Sequence, residues 1–299
     1  MELRGNFARL RRLDDHLGGA DTYSLYSAEV EKTVGLLKNA SLSAATQREL
    51  LTLLAEQTQQ AGWAAFDAGW QREAQSLFQR SYTVAKEAND PSLAGNALAL
   101  QSYQLLSTGT VATELTEKSC SIAARNVHPA VQSLLYQRAA WTYAVASDAE
   151  RAVQALGRAE EALTTTGGDE PGPDWATWAH SATEFRIMTG RCWTELRRPL
   201  RAVPVLETAM SEYGDSHARD KALYLSWLAD AYIDAGEIEQ ATATINRAVT
   251  LAANVASARP RGRITAVLKR LEAPTSQLNS LSDQSSPGTL SDLPPTGPQ

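Results

Sequence analysis

One stretch, Lys221 to Ala252, limits what this chain can fold into. Ala222, Leu225, Leu228, Ala229 and Tyr232 recur at three- and four-residue steps, Ala235-Gly236-Glu237 interrupts, and Ile238, Ala241, Ile245 and Ala248 resume the same period. Two amphipathic helices joined by a short turn make a hairpin, and one hairpin cannot bury both of its apolar stripes. It needs similar neighbours stacked on each side, which is what a repeat array supplies. The pattern therefore predicts an all-α chain that grows along one axis.

Counting supports the repetition. With Gly69 set against Gly236, Ala229 falls on Gly62, Tyr232 on Ala65, Ala241 on Ala74 and Ile245 on Phe78. Arg197 in the same register places Gly190, Trp193, Ala202, Leu206 and Ala209 at the matching positions, and Ser147 places Ala140, Tyr143, Ala152, Leu156 and Ala159 there. A weaker copy centres on Gly109, where Glu114 and Lys118 stand at positions that hold alanine and a large apolar residue elsewhere. The turns at 69, 109, 147, 197 and 236 are 40, 38, 50 and 39 residues apart. The long step contains Thr164 to Asp174, TTTGGDEPGPD, a Gly/Pro-rich loop of the kind that either carries function or moves. Pro199 can open the helix after the fourth turn, whereas Pro204 inside it predicts a bend, since an internal proline costs about 3 kcal/mol.

The two ends differ from the middle. Residues 1–20 set Arg4, Arg9, Arg11 and Arg12 against Glu2, Asp14 and Asp15 and end in Gly18-Gly19, which reads as a charged connector. Asp21 and Ser43 are placed to cap the helices that follow. Beyond Ala252, Ile264, Val267, Leu268 and Leu271 keep helical spacing, and Arg259, Arg261, Arg263, Lys269 and Arg270 suggest a terminal capping helix with a basic outer face. The repeat domain is expected over 21–272, and the Ser/Pro/Gly-rich tail over 273–299 is expected to be disordered.

Composition excludes several functions. A net charge of −6 argues against holding a phosphate backbone, so no direct nucleic-acid contact is expected. The arginine-rich start lacks the apolar core of a signal peptide, and no run of about 18 apolar residues exists to span a membrane. Cys120 and Cys192 lie far apart within helical patterns and read as reduced thiols, in keeping with a cytoplasmic protein. Nucleotide-loop, hydrolase and zinc motifs are absent, and His16, His128, His180 and His217 are scattered. Neither a catalytic residue, a metal nor a cofactor is expected.

The pattern of a small residue then an aromatic on the first helix, and Ala-x3-Phe/Leu/Ile-x2-Ala on the second, resembles the tetratricopeptide repeat. It departs from that family in its spacing, which exceeds the usual 34 or so residues. The resemblance implies a right-handed α-solenoid whose first helices line a concave ligand face. In the counted register that face carries Gln59, Trp63 and Asp67, then Asn96 and Tyr103, Gln137 and Trp141, Glu184 and Arg191, and Ser226 and Asp230. Amides match the donors and acceptors of a peptide backbone, aromatics offer rigid apolar area, and a guanidinium can grip a carboxylate with two parallel bonds. Packing between helices is the plainer role for Trp63 and Trp141.

The segments RRLDDHLGGADTYSLYSAEVEKTVGLL, AEQTQQAGWAAFDAGWQREAQSLFQRSYTVAKEANDP and SYQLLSTG resemble the repeat half of actinobacterial helix-turn-helix regulators of the xenobiotic-response type, over most of residues 10–270. In that family a DNA-binding domain and an Arg-rich linker precede the repeats; residues 1–20 match the linker alone, as in a free-standing relative or a shortened product. The resemblance implies a non-catalytic interaction or sensor module in transcriptional regulation. Its partner would be a protein, a peptide or a small-molecule effector, and homodimerisation is a further option. Two alternatives remain at this level: an enzyme that uses the carboxylates of Asp67, Glu184 and Asp230, and a partner that poisons the dimer of a full-length regulator.

Overall fold

The computed structural model describes residues 2–14, 17–124, 127–165, 172–176, 179, 181–253 and 255–273. The expected tail from residue 274, together with His16 and His180, lies outside the described residues. Among the described residues there is no strand, and the chain is an all-α, tetratricopeptide-like solenoid. Helices α1 (Glu2–Asp14) and α2 (Gly19–Asn39) precede five hairpins. These are α3 (Ala44–Asp67) with α4 (Gln71–Glu87), α5 (Pro91–Ser107) with α6 (Thr113–Ala123), and α7 (Pro129–Val145) with α8 (Ala149–Thr164). They continue as α9 (Ala182–Glu195) with α10 (Pro199–Glu212), and α11 (Ala218–Ala235) with α12 (Ile238–Ala252); α13 (Ala258–Glu272) ends the array.

The five residues that anchor the sequence register are the five hairpin turns. Gly69, Gly109 and Gly236 have φ of 88°, 82° and 81°, and Ser147 and Arg197 adopt the same left-handed conformation at 60° and 53°. A left-handed residue lets the last amides of the first helix fold back on its carbonyls, as Trp70 N does on Ala65 O at 2.8 Å and Glu237 N on Tyr232 O at 2.9 Å. The start signals behave unevenly. Ser43 accepts from Thr46 N at 3.1 Å and Asp90 from Leu93 N at 3.0 Å, whereas α2 begins at Gly19, ahead of the expected Asp21 cap. α10 runs unbroken through Pro204, so the proline does not end it.

Within each hairpin a small residue on the first helix receives a large one from the second. A methyl group added to Gly62 would lie 2.7 Å from the Phe78 ring, and one added to Gly190 would lie 2.4 Å from Leu206 Cγ. Phe78, Leu206 and Ile245 are all buried to within 1%. The α5/α6 pair solves the same problem with polar groups. Ser102 Oγ lies 2.8 Å from Thr116 Oγ1 and 3.3 Å from Thr142 Oγ1, and Ser119 donates to Gly95 O at 3.0 Å. The turn before α6 is two residues longer than those before α4, α8 and α10, so Thr116 takes the inward place expected of Glu114, and Glu114 and Lys118 are exposed.

Both ends depart from expectation in a way that matters for function. The connector read over 1–20 contains a helix, α1, with Phe7 1% exposed against Tyr26. The basic face of α13 points mainly inward: Arg259 pairs with Asp67 of α3 at 2.6 Å, Arg263 with Asp230, and Arg270 with Asp230 and Asp234 of α11. Arg219 at the start of α11 donates to Leu17 O at 3.2 Å. The first and last hairpins are therefore joined, and the inner face of the solenoid is not an open groove.

Candidate functional site

Six residues before each hairpin turn lies one structurally equivalent position, and it holds Trp63, Tyr103, Trp141, Arg191 and Asp230 in the five repeats. Stacking the hairpins brings these side chains into a column. Ring centroids are 5.7 Å apart from Trp63 to Tyr103, 4.6 Å from Tyr103 to Trp141, and 6.2 Å from Trp141 to Trp227 of α11. Guanidinium groups lie against the rings: Arg259 over Trp63 at 4.3 Å, Arg138 over Tyr103 at 4.4 Å, Arg191 over Trp141 at 4.6 Å and Arg263 over Trp227 at 3.6 Å. The plainer packing role expected for the two tryptophans is what the geometry gives to Trp141, which is 7% exposed.

Beside this column is a chamber of about 910 Å³. Its wall includes Trp63, Asn96, Tyr103 and Leu134 from three repeats, Glu184 and Arg191 from α9, and Leu223 and Tyr224 from α11. Three other segments complete it: Ala8 and Arg11 of α1, Asp174 and Trp175 at the end of the inserted loop, and Arg259 of α13. Asp174 at the end of the Gly/Pro-rich insertion, within 3.3 Å of Arg11, and Trp175 just after it, 8% exposed, are thus part of the wall. Arg11 in turn pairs with Glu56 at 2.8 Å.

Seven of the eleven sequence-predicted residues line the chamber, and four do not. Gln59 and Gln137 are on the wall, yet both amides bracket neighbouring segments. Gln59 Nε2 donates to Leu93 O at 2.8 Å while its carbonyl accepts from Asn96 at 2.7 Å; Gln137 Nε2 donates to Ser133 Oγ and Ala179 O, each at 3.0 Å. Asp67, Trp141, Ser226 and Asp230 are buried behind the wall. Asp67 accepts from Gly19 N at 3.0 Å and Ser257 Oγ at 2.7 Å as well as from Arg259, and Ser226 turns back on Leu223 O of its own helix at 2.5 Å. These four lie on the face of their helices that α13 and the neighbouring helices cover. Arg138, Arg219, Tyr224 and Trp175 escaped the sequence reading. Arg138 sits between two predicted positions on the same helix turn, and Trp175 directly follows the loop whose length alone was the signal.

The electrostatics of the wall are unusual at two groups. Burial would raise the Tyr103 phenol, but Arg191, Arg259 and Arg138 around it prevail and bring it down from 10.0 to about 7. Burial, with Asp220 nearby, pushes the Glu184 carboxyl up from 4.5 to about 7, against hydrogen bonds from Tyr224 and Tyr213 and the charge of Arg191. Asp67 goes the other way: its burial is outweighed by Arg259 and Arg219, and its carboxyl is held below the usual range.

The class of protein that this arrangement defines is a helical-repeat protein with a partly open cavity on its inner face. No protein-family model matches the chain, and no curated protein matches it in sequence. Among solved structures it is similar to BtubC (BKLC) from P. vanneervenii, at 18% identity and a TM-score of 0.52, over 93% of this chain and 97% of that one. A chain described as a kinesin light chain from Podosopora anserina, with nearly identical TPR-like repeats, overlaps 71% of this chain and 98% of its own at 16% identity and a TM-score of 0.42. At 18% identity the likeness to BtubC is one of fold. Among the described residues no helix is long and apolar enough to cross a membrane, and no group of three or more His, Cys, Asp or Glu side chains is placed to hold a metal ion.

Proposed function

We propose that the chain is a non-catalytic sensor module in intracellular, transcriptional regulation, and that it takes a small effector or a short peptide end into the internal chamber. One observation carries the reading: a cavity of about 910 Å³ is walled jointly by the repeats, α1, the inserted loop and α13. That volume lies within the roughly 300–1,000 Å³ of small-ligand sites. An occupant would touch both ends of the array at once, so its binding would favour the joined form over any form in which the ends separate. The regulatory context rests on the resemblance of residues 10–270 to the repeat half of actinobacterial helix-turn-helix regulators.

The enzyme reading is less well supported. Asp67 and Asp230, two of the three carboxylates it would use, are buried and ion-paired to Arg259, Arg263 and Arg270. Native mass spectrometry of the chain recovered from its own cells tests the sensor reading. A discrete small-molecule mass is expected on the parent chain and absent from Ala8→Trp, which fills the chamber from α1 without removing a polar contact. A parent chain recovered with no added mass, and unaltered in melting temperature by a cell extract, would sink it.

A further inference from the structure

Arg191 is a buried charge on the chamber wall with no carboxylate beside it among the described residues. It is 4% exposed, and among the described residues its guanidinium donates one hydrogen bond, to the Tyr103 hydroxyl at 3.2 Å, while its buried Nε–H has no acceptor. Three other arginines of the wall are matched by carboxylates: Arg11 by Glu56 at 2.8 Å, Arg219 by Asp220 at 3.4 Å, and Arg259 by Asp67 at 2.6 Å. No carboxylate comes within 4.0 Å of Arg191 among the described residues. A buried guanidinium with no carboxylate beside it and an unmet Nε–H, held by the Tyr103 phenol and by ring faces, can still gain from an anion that reaches it.

Two neighbours strengthen the point. Tyr103, whose burial is overcome by Arg191, Arg259 and Arg138, is brought down to about 7, as expected of a wall at positive potential. Glu184, the acid on the same helix, is pushed by burial and Asp220 up to about 7 and accepts a hydrogen bond from Tyr224 at 3.0 Å. A carboxyl that resists ionisation is a poor counter-ion for Arg191. Among the polar groups of the wall, which include the carboxylates of Asp174, Glu212 and Asp220, the side chains of Leu100, Leu134, Ile187, Met188, Leu223 and Trp175 give the cavity apolar surface.

Resting on the sensor reading above, we infer that the chamber takes an organic acid whose apolar body packs on these aliphatic and indole surfaces while its carboxylate, or another compact anionic group, seats on Arg191. The guanidinium offers planar, paired donors that suit such a group, and among the described residues the Tyr103 phenol is the hydrogen-bond partner it would share or displace.

Cinnamate and its neutral isostere cinnamamide, titrated calorimetrically into the full chain, separate the charge from the shape. Cinnamate is expected to bind at least about tenfold more tightly than cinnamamide, and Arg191→Met, which keeps side-chain length without the charge, is expected to remove that preference. The comparison on the unaltered chain stands even if Arg191→Met fails to fold. Equal binding of the two probes overturns the inference and leaves the sensor reading intact, as does a preference retained in a folded Arg191→Met. Binding of neither at millimolar concentration overturns the organic-acid inference, while the mass carried by the chain from its own cells decides the sensor reading separately.

Discussion

At the residue scale, two titrating groups with opposite shifts share one wall. Glu184 is raised from 4.5 to about 7, so its folded form holds the proton more tightly than the unfolded chain does. Its contribution to stability is complete below about pH 4.5 and is lost as pH rises through 7. Tyr103 is lowered from 10.0 to about 7, so its contribution is present above pH 10 and is lost as pH falls through 7. Together they predict a shallow minimum of stability near neutrality. Melting temperatures measured across pH should show it, with the acid-side slope flattened in Glu184→Gln and the alkaline-side slope flattened in Tyr103→Phe. The near-ultraviolet absorbance of phenolate gives a direct check: one tyrosine should ionise with a midpoint near 7, and Tyr103→Phe should abolish that step. A first ionisation near 10 in the parent chain would contradict the positive potential assigned to this wall.

At the scale of the element, the hairpin was legible because its parts are local. Turn residues at 69, 109, 147, 197 and 236 fall at fixed distances from small and large positions, and each has φ between 53° and 88°. Where the second helix offers no apolar period the reading slipped: α6 buries Thr116 and Ser119, so hydrophobic spacing could not detect the two extra residues in the turn before it. The charged face of α1 likewise concealed Phe7. The inner position six residues before the turn was found, but the occupant of the inner face was not, because the contact of Arg259 with Asp67 spans 192 residues. Two substitutions probe the hairpin itself. Ser147 bears a left-handed conformation that costs an L-residue about 1 kcal/mol, so Ser147→Gly should raise unfolding free energy by up to that amount in denaturant titration. Leu206 fills the space left by Gly190, and Leu206→Ala should lower stability by about 2–5 kcal/mol; a loss under 1 kcal/mol would mean that α9 and α10 collapse onto the gap.

At the scale of the whole molecule, an array of stacked hairpins has no inherent reason to join its ends, and here a few polar groups do so. Asp67 is the centre of that junction. Its carboxylate, 0% exposed, takes the backbone N–H that opens α2, the Ser257 hydroxyl before α13 and the Arg259 guanidinium of α13. The position at the start of α2 also places the negative charge against the positive end of the helix dipole. Removing the carboxylate leaves buried Arg259 with only the more distant Asp220, at 3.8 Å, among the described residues, and losing one partner of a buried pair costs about 3–5 kcal/mol. Asp67→Ala is therefore expected to destabilise the chain by that order. The loss should be unevenly distributed, because the hairpins from α5 to α10 keep their own contacts. Hydrogen exchange should rise at the start of α2 and along α13 while those central helices stay protected. Replacing both partners, as Asp67→Ala with Arg259→Met, removes the stranded charge and should recover part of the loss, which a double-mutant cycle measures. Exchange that rises evenly along α1 to α13 would instead show that the joined ends support the entire array, and that opening the chamber and unfolding the chain are one event.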